Sequence, residues 1–166
     1  MAYSPTIQVV DVRAFKDNII AHIQANQVEA LAWANGGRVL PEIKKFYKAP
    51  TKITIFPSLT FLQIDHKAKL PNDLLEIEVS YMVEVAIVHG NQETLADLAT
   101  KYSMAVESML LNVPETTLNQ DSIIDITSTS VDIQTVFNIQ GKTGNKFIEI
   151  FQTRVTWEIE AAGFAN

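Results

Sequence analysis

Between Leu75 and Val88 the chain alternates by parity. Ile77, Val79, Tyr81, Val83, Val85 and Ile87 fall on one set, and Glu76, Glu78, Ser80, Met82, Glu84 and Ala86 on the other. A period of two places these sets on opposite faces of a β-strand, one apolar and one mostly polar. Such a strand needs cover on one side only, and Gly90-Asn91 ends it. The last third repeats the signal twice. Val131, Ile133, Thr135, Phe137 and Ile139 share one face, and Phe147, Phe151, Val155, Trp157 and Ile159 share one on the return, with Gly141 to Lys146 between them. A parallel pair needs a crossover of about a dozen residues or more, so these strands must form an antiparallel hairpin.

Two stretches carry helical spacing instead. Val12, Phe15, Ile19, Ile23, Val28 and Leu31 predict an N-terminal helix over about 11–35, stopped by Gly36-Gly37. Leu95, Leu98, Ala99, Tyr102, Val106, Met109, Leu110 and Val113 form one stripe of a second helix over about 93–112, with Thr94 as a cap and Pro114 as the stop. Between helix and sheet, residues 38–52 read as a basic connecting segment with room for a helical turn. Lys52 to Phe56 and Leu59 to Ile64 read as two short strands separated by Pro57. The expectation is a single α+β domain over 1–166. Its sheet is mainly antiparallel, closes on a long C-terminal β-hairpin and is covered on one face by helices. The first helix is the spare element, free to join that layer, a sheet edge or a neighbouring subunit.

A chain of 166 residues can bury a core without staples, which suits the absence of cysteine. That absence excludes disulfides, thiolate nucleophiles and cysteine-held metals, and leaves the compartment open. No apolar run approaches 18 residues and the first residues lack a basic, then apolar, leader pattern, so the chain is read as neither exported nor membrane-spanning. The net charge of −6 argues against a phosphate-binding surface over the whole molecule. It is also unevenly placed. Residues 38–69 hold seven basic side chains against two acidic ones, +5, and the rest holds six against seventeen, −11.

The usual catalytic patterns fail on context. Gly141-Lys142-Thr143 resembles the end of a phosphate-binding loop, but that pattern requires glycine where Val136 stands and a helix where a strand follows. His22, His66 and His89 have no metal-ligand spacing, and Asp65 and His66 point to opposite faces of a strand. There is no nucleophile elbow for serine hydrolysis. Glu76, Glu78 and Glu84 share a polar strand face, yet nothing in the sequence supplies the apolar pocket that would split their pKa values for acid and base work. Glu149 stands at an aromatic position, where periodicity does not explain it. No catalytic residue, cofactor or metal is expected. Phe46 and Tyr47 amid lysines leave nucleic-acid binding open beside a solvated segment.

The layout resembles the tail terminator and neck, or head-tail joining, proteins of long-tailed bacteriophages. The likeness lies in the element order, the Phe56-Pro57-Ser58-Leu59 break after the first helix, the long Leu75 to Val88 strand leading into Glu93 to Leu111, and the closing hairpin Val131 to Ile159. It covers nearly the full chain as a pattern of elements and carries over no functional residue. It implies a virion structural protein of the tail-neck region, assembled in the host cytoplasm. Such a subunit forms a homo-oligomeric ring, commonly of six, that caps the tail tube, stops its growth and meets neck, connector or sheath proteins. Genomic DNA passes through such a ring without sequence-specific binding. The candidate adhesive residues are Lys44, Lys45, Lys48 and Lys52 in the connection and Lys142, Asn145 and Lys146 at the hairpin tip. Glu76, Glu78 and Glu84 are candidates for an acidic face lining the bore. Rival readings are a neck adaptor or tail-completion subunit on the connector side, and a small-ligand-binding α+β module.

Overall fold

The alternation around Tyr81 becomes the middle strand of a five-stranded sheet in a computed structural model that describes residues 2–3, 12–71, 74–114 and 125–162. In chain order the elements are α1 (Val12–Ala34), β1 (Lys45–Tyr47), β2 (Ser58–Lys69), β3 (Leu75–His89), α2 (Gln92–Leu111), β4 (Asp125–Thr143) and β5 (Lys146–Ala162). The strands lie in the order β1-β2-β3-β5-β4, antiparallel throughout except that β1 runs parallel to β2. This is the expected α+β architecture with a C-terminal hairpin.

One face of the sheet is closed. Tyr81 on β3 packs against Phe61 on β2 at 4.9 Å between ring centroids, and Phe15 on α1 contacts both Tyr81 and Trp157 on β5 at 6.1 and 5.5 Å. α2 lies over β5 and β3 with α1 beside it, so the spare helix joins the covering layer. The predicted α2 stripe is buried from Leu95 to Leu110, with Leu98 packed against the core at its edge. The side chain of Val12 lies outside the description, and among the described side chains α1 departs from its predicted stripe at one position. Val28 is 49% exposed, and the neighbouring Gln27 is buried instead, its side-chain oxygen accepting from the Ile43 amide at 2.8 Å. A connecting chain passes that turn of the helix, and its orphan N–H needs an acceptor more than it needs a methyl group.

Other local expectations are corrected. Residues 38–52 contain no helical turn: Leu40 and Ile43 are buried, the Tyr102 hydroxyl donates to the Pro41 carbonyl, and Lys45–Tyr47 forms β1. Lys52 to Phe56 is not a strand, because β1 already fills the slot beside β2 at Ser58 to Thr60. Without a ladder partner, β-branched residues do not make a strand. β2 continues to Lys69, well past Ile64. The N-cap of α2 is Asn91, whose side chain accepts from the Thr94 amide at 3.0 Å. The hairpin strands run on until only Gly144 and Asn145 remain as the turn, with Gly144 at φ +58°. A two-residue turn of this kind demands positive φ, which glycine accepts without strain. Gly36 and Gly37, at φ +66° and +90°, end α1 as expected.

Candidate assembly surface

Among the described residues the second face of the sheet carries no helix, and its side chains follow from the strand registers. Two rungs at one end read Lys69, Glu76, Glu160 and Lys67, Glu78, Glu158 across β2, β3 and β5. The rungs above place Asp65, Ser80, Thr156 and Asp132 in line, then Leu62, Met82, Arg154 and Gln134, then Thr60, Glu84, Gln152 and Val136. Ser80 and Thr156 share a hydrogen bond at 2.9 Å, and Gln152 donates to Glu84 at 2.7 Å. Two shallow depressions of about 500 and 600 Å³ lie on the charged half, walled by Glu78, Asp132 and Arg154 and by Lys67, Glu76 and Glu160.

Glu76 and Glu78 therefore share a face as expected, but each directly opposes another glutamate. Like charges opposite one another destabilise a sheet by a fraction of a kcal/mol to about 1 kcal/mol. The pairing with Glu160 and Glu158 was not legible along the chain, since it depends on register. Glu84 stands apart, two rungs beyond Ser80 and bound to Gln152. Lys67 and Lys69 border the acidic pair and lie about 30 Å along β2 from the β1 lysines at 3.3 Å per residue. The basic segment of the sequence is thus divided between two places.

Lys44, Lys45, Lys48 and Lys52 are exposed around β1, at one edge of the sheet. Lys48 pairs with Asp17 at 2.7 Å, and the Lys16 ammonium donates to the Lys48 carbonyl at 2.8 Å, tying this segment to α1. Burial holds Lys16 below the ordinary lysine value, opposed by Asp17. Lys45 lies 5.9 Å from the centre of the Tyr47 ring. Lys142, Asn145 and Lys146 are exposed at the hairpin tip, with the Lys142 ammonium 5.1 Å above Phe147. The two groups occupy the same end of the sheet but opposite edges, because the β1 rungs reach across to 150–152 of β5. Among the described residues β2 has no neighbour beyond Thr60 on its outer side, and β4 has none along its length.

Glu149 proves to be a polar residue on the closed face. It is 7% exposed, stands opposite Ile87 and Gln140, and has no hydrogen-bond or ion-pair partner among the described residues. Burial pushes its carboxyl above the ordinary carboxylate range. It borders a cleft of about 320 Å³ under the first turn of α2, with Glu93, Leu95, Gln140 and Phe147 among the walls. Thr153, four residues on, shows the usual solution. Thr135 donates to Glu107 of α2 at 2.6 Å, so the Thr153 hydroxyl, 2.9 Å away, donates to Thr135.

The histidines fill local roles. A ring nitrogen of His22 meets the Met109 carbonyl at 3.1 Å, His89 accepts from the Asn91 amide, and His66 is exposed. Among the described residues no group of three or more His, Asp or Glu is placed to hold a metal ion, and no helix is long and apolar enough to cross a membrane. Neither models of known protein families nor curated protein sequences match this chain.

Proposed function

We propose that this chain is a structural ring subunit of the tail-neck region of a long-tailed bacteriophage, a tail terminator that caps the tail tube. The observation that carries the assembly part is the pair of strand edges on opposite sides of one sheet that have no neighbour among the described residues, nine residues of β2 from Phe61 to Lys69 and the whole of β4. An exposed edge is a template for pairing with another chain. Two different edges on one subunit make a head-to-tail contact, which closes into a ring when the rotation fits. Three strand spacings of about 4.8 Å put those edges roughly 14 Å apart across the subunit. The phage assignment rests on the element order and on the long strand and closing hairpin.

The open face gives such a ring an inner or a docking surface. Glu76, Glu78, Glu158 and Glu160 on one half would repel phosphates from a bore, while Leu62, Met82, Val136 and Ile150 offer half-buried apolar area on the other. Native mass spectrometry and light scattering on the purified chain, alone and with tail tubes, test the reading. The expected result is a closed oligomer, of about six subunits by the resemblance, that binds tube ends and stops their growth. A chain that stays monomeric even with tubes present would overturn it. A ring that ignores tubes but binds the portal-side connector would move the chain to the neck.

A further inference from the structure

On the open face the charges run in a fixed order across the sheet. One rung reads Lys67, Glu78, Glu158 and Ser130 from β2 to β4. The next repeats it with Lys69, Glu76, Glu160 and Ser128. Each rung thus holds two carboxylates and one ammonium, with the ammonium on the β3 side. Glu78 stands between a lysine and a glutamate, whereas Glu158 has a glutamate on one side and a serine on the other. Lys67 and Glu158 are exposed, and neither has a hydrogen-bond or ion-pair partner among the described residues.

We infer that Lys67 of a second copy of the chain lies across Ser130 and meets Glu158, so that both glutamates of the rung have a lysine neighbour only in the assembly. The inference rests on the edge-to-edge ring reading. Strand direction is the first observation that selects the occupant. β2 and β5 run the same way and β4 the opposite way. Copies of like orientation standing side by side therefore bring the outer edge of β4 against that of the next copy's β2 as an antiparallel pair. Such a pair continues the ladder the sheet already has and keeps both open faces on one side.

The second is height. A closed ring has no translation along its axis, so strands running along the bore meet their neighbours at equal height. Lys67 then arrives beside Ser130, two strand spacings or about 10 Å from the β5 backbone. A lysine and a glutamate together span that gap over a side chain as small as serine. The third is room. β1 covers the β2 edge at Ser58 to Thr60, so only Phe61 to Lys69 admits a neighbour. In that stretch Lys67 and Lys69 are the cations on the open face, and His66 lies on the other. β4 also shifts register between Phe137 and Ile139, the height at which the neighbour's β1 lies, and a bulge bends its strand. Per copy the two rungs hold four carboxylates against two ammonium groups, so the pairing leaves the face acidic.

The test measures association of full-length chains by analytical ultracentrifugation at low salt. Glu158→Gln keeps the shape and removes the charge, and is expected to weaken association about two- to fivefold, the range of an exposed ion pair. Lys67→Glu and Glu158→Lys, each alone, put like charges at every junction and should weaken it by about tenfold. Mixing these two variants should restore association, because an alternating ring joins opposite charges at every junction. A contact made within one chain is not repaired by mixing. All three positions of substitution are exposed, and circular dichroism follows the fold of each variant. If the wild type assembles but Glu158→Gln associates equally well, or the mixture associates no better than its components, this inference falls and the ring reading stands. A wild-type chain that does not associate at any concentration removes both.

Discussion

β3 and β5 present two faces made from the same two strands, and the faces obey different rules. Toward the helices, Val79, Tyr81, Val83, Phe151, Val155 and Trp157 are buried and interlocked, and Thr153 is hydrogen-bonded. Toward the open side, glutamate opposes glutamate on two successive rungs and apolar residues are left half-buried. One residue of sequence offset separates a surface selected for stability from one that tolerates conflict. A fold retains such conflict cheaply when the surface has a second use. The open face is therefore the half of the sheet whose chemistry the monomer does not explain.

The largest test of this contrast pairs two truncations on the hairpin. Phe151→Ala removes a fully buried ring that contacts Phe137 at 5.7 Å, and should cost about 3–5 kcal/mol in urea unfolding. Gln134→Ala, on the open side of β4, should change stability by no more than about 0.5 kcal/mol. Comparable losses at both sites would show that the open face contributes to the monomer core. Next in size is Gln27→Ala, which leaves the Ile43 amide without its acceptor inside the covering layer and should cost about 1–3 kcal/mol.

The open face predicts the opposite sign. Glu158→Gln removes one of two opposed carboxylates while keeping shape, and should raise the unfolding free energy by about 0.2–1 kcal/mol at low salt. Added salt should shrink that gain, since exposed charges are screened. A stabilised variant that also binds DNA more tightly than the wild type would support the proposed bore-lining role of the acidic rungs. A destabilised variant would mean that Glu158 has a favourable partner, and the conflict would then belong to the Glu76 rung alone.

How much of this was legible in the sequence depends on the length scale of the interaction. The parity of residues 75–88, 131–137 and 147–159 determined strand, facing and antiparallel pairing, because side-chain alternation is a local property of the backbone, but the register shift between Phe137 and Ile139 breaks the parity expected to run on to Ile139. β1 was not legible: Lys45-Phe46-Tyr47 has no alternation long enough to detect, and it is a strand only because β2 offers an edge. The more β-branched Lys52 to Phe56 lost that slot. Among candidate site residues, the sequence placed Glu76 and Glu78 on one face, but their opposition to Glu160 and Glu158 arises from register between strands some eighty residues apart. Glu149 was visible as a break in an apolar parity. Its lack of a partner required the position of α2.

That residue gives the smallest and most specific effect, a pH dependence of the unassembled chain. Burial raises the folded-state pKa of Glu149 above the ordinary 4.5, so the folded chain holds this proton more tightly than the unfolded chain. The stability contributed by the protonated group is therefore fully present below 4.5 and is lost as pH rises through the elevated folded value. The charged residues beside the cleft act in opposite directions: Glu93 on α2 favours the protonated form and Lys142 on β4 the ionised one. Glu149→Gln removes the titration while keeping the shape. Urea unfolding of both proteins across pH 4 to 8, at concentrations too low for assembly, should show the wild type losing stability relative to Glu149→Gln as pH rises. A constant difference would mean that Glu149 already has a partner or water in the free subunit. The closed face would then contain no unfinished contact, and its contrast with the open face would be complete.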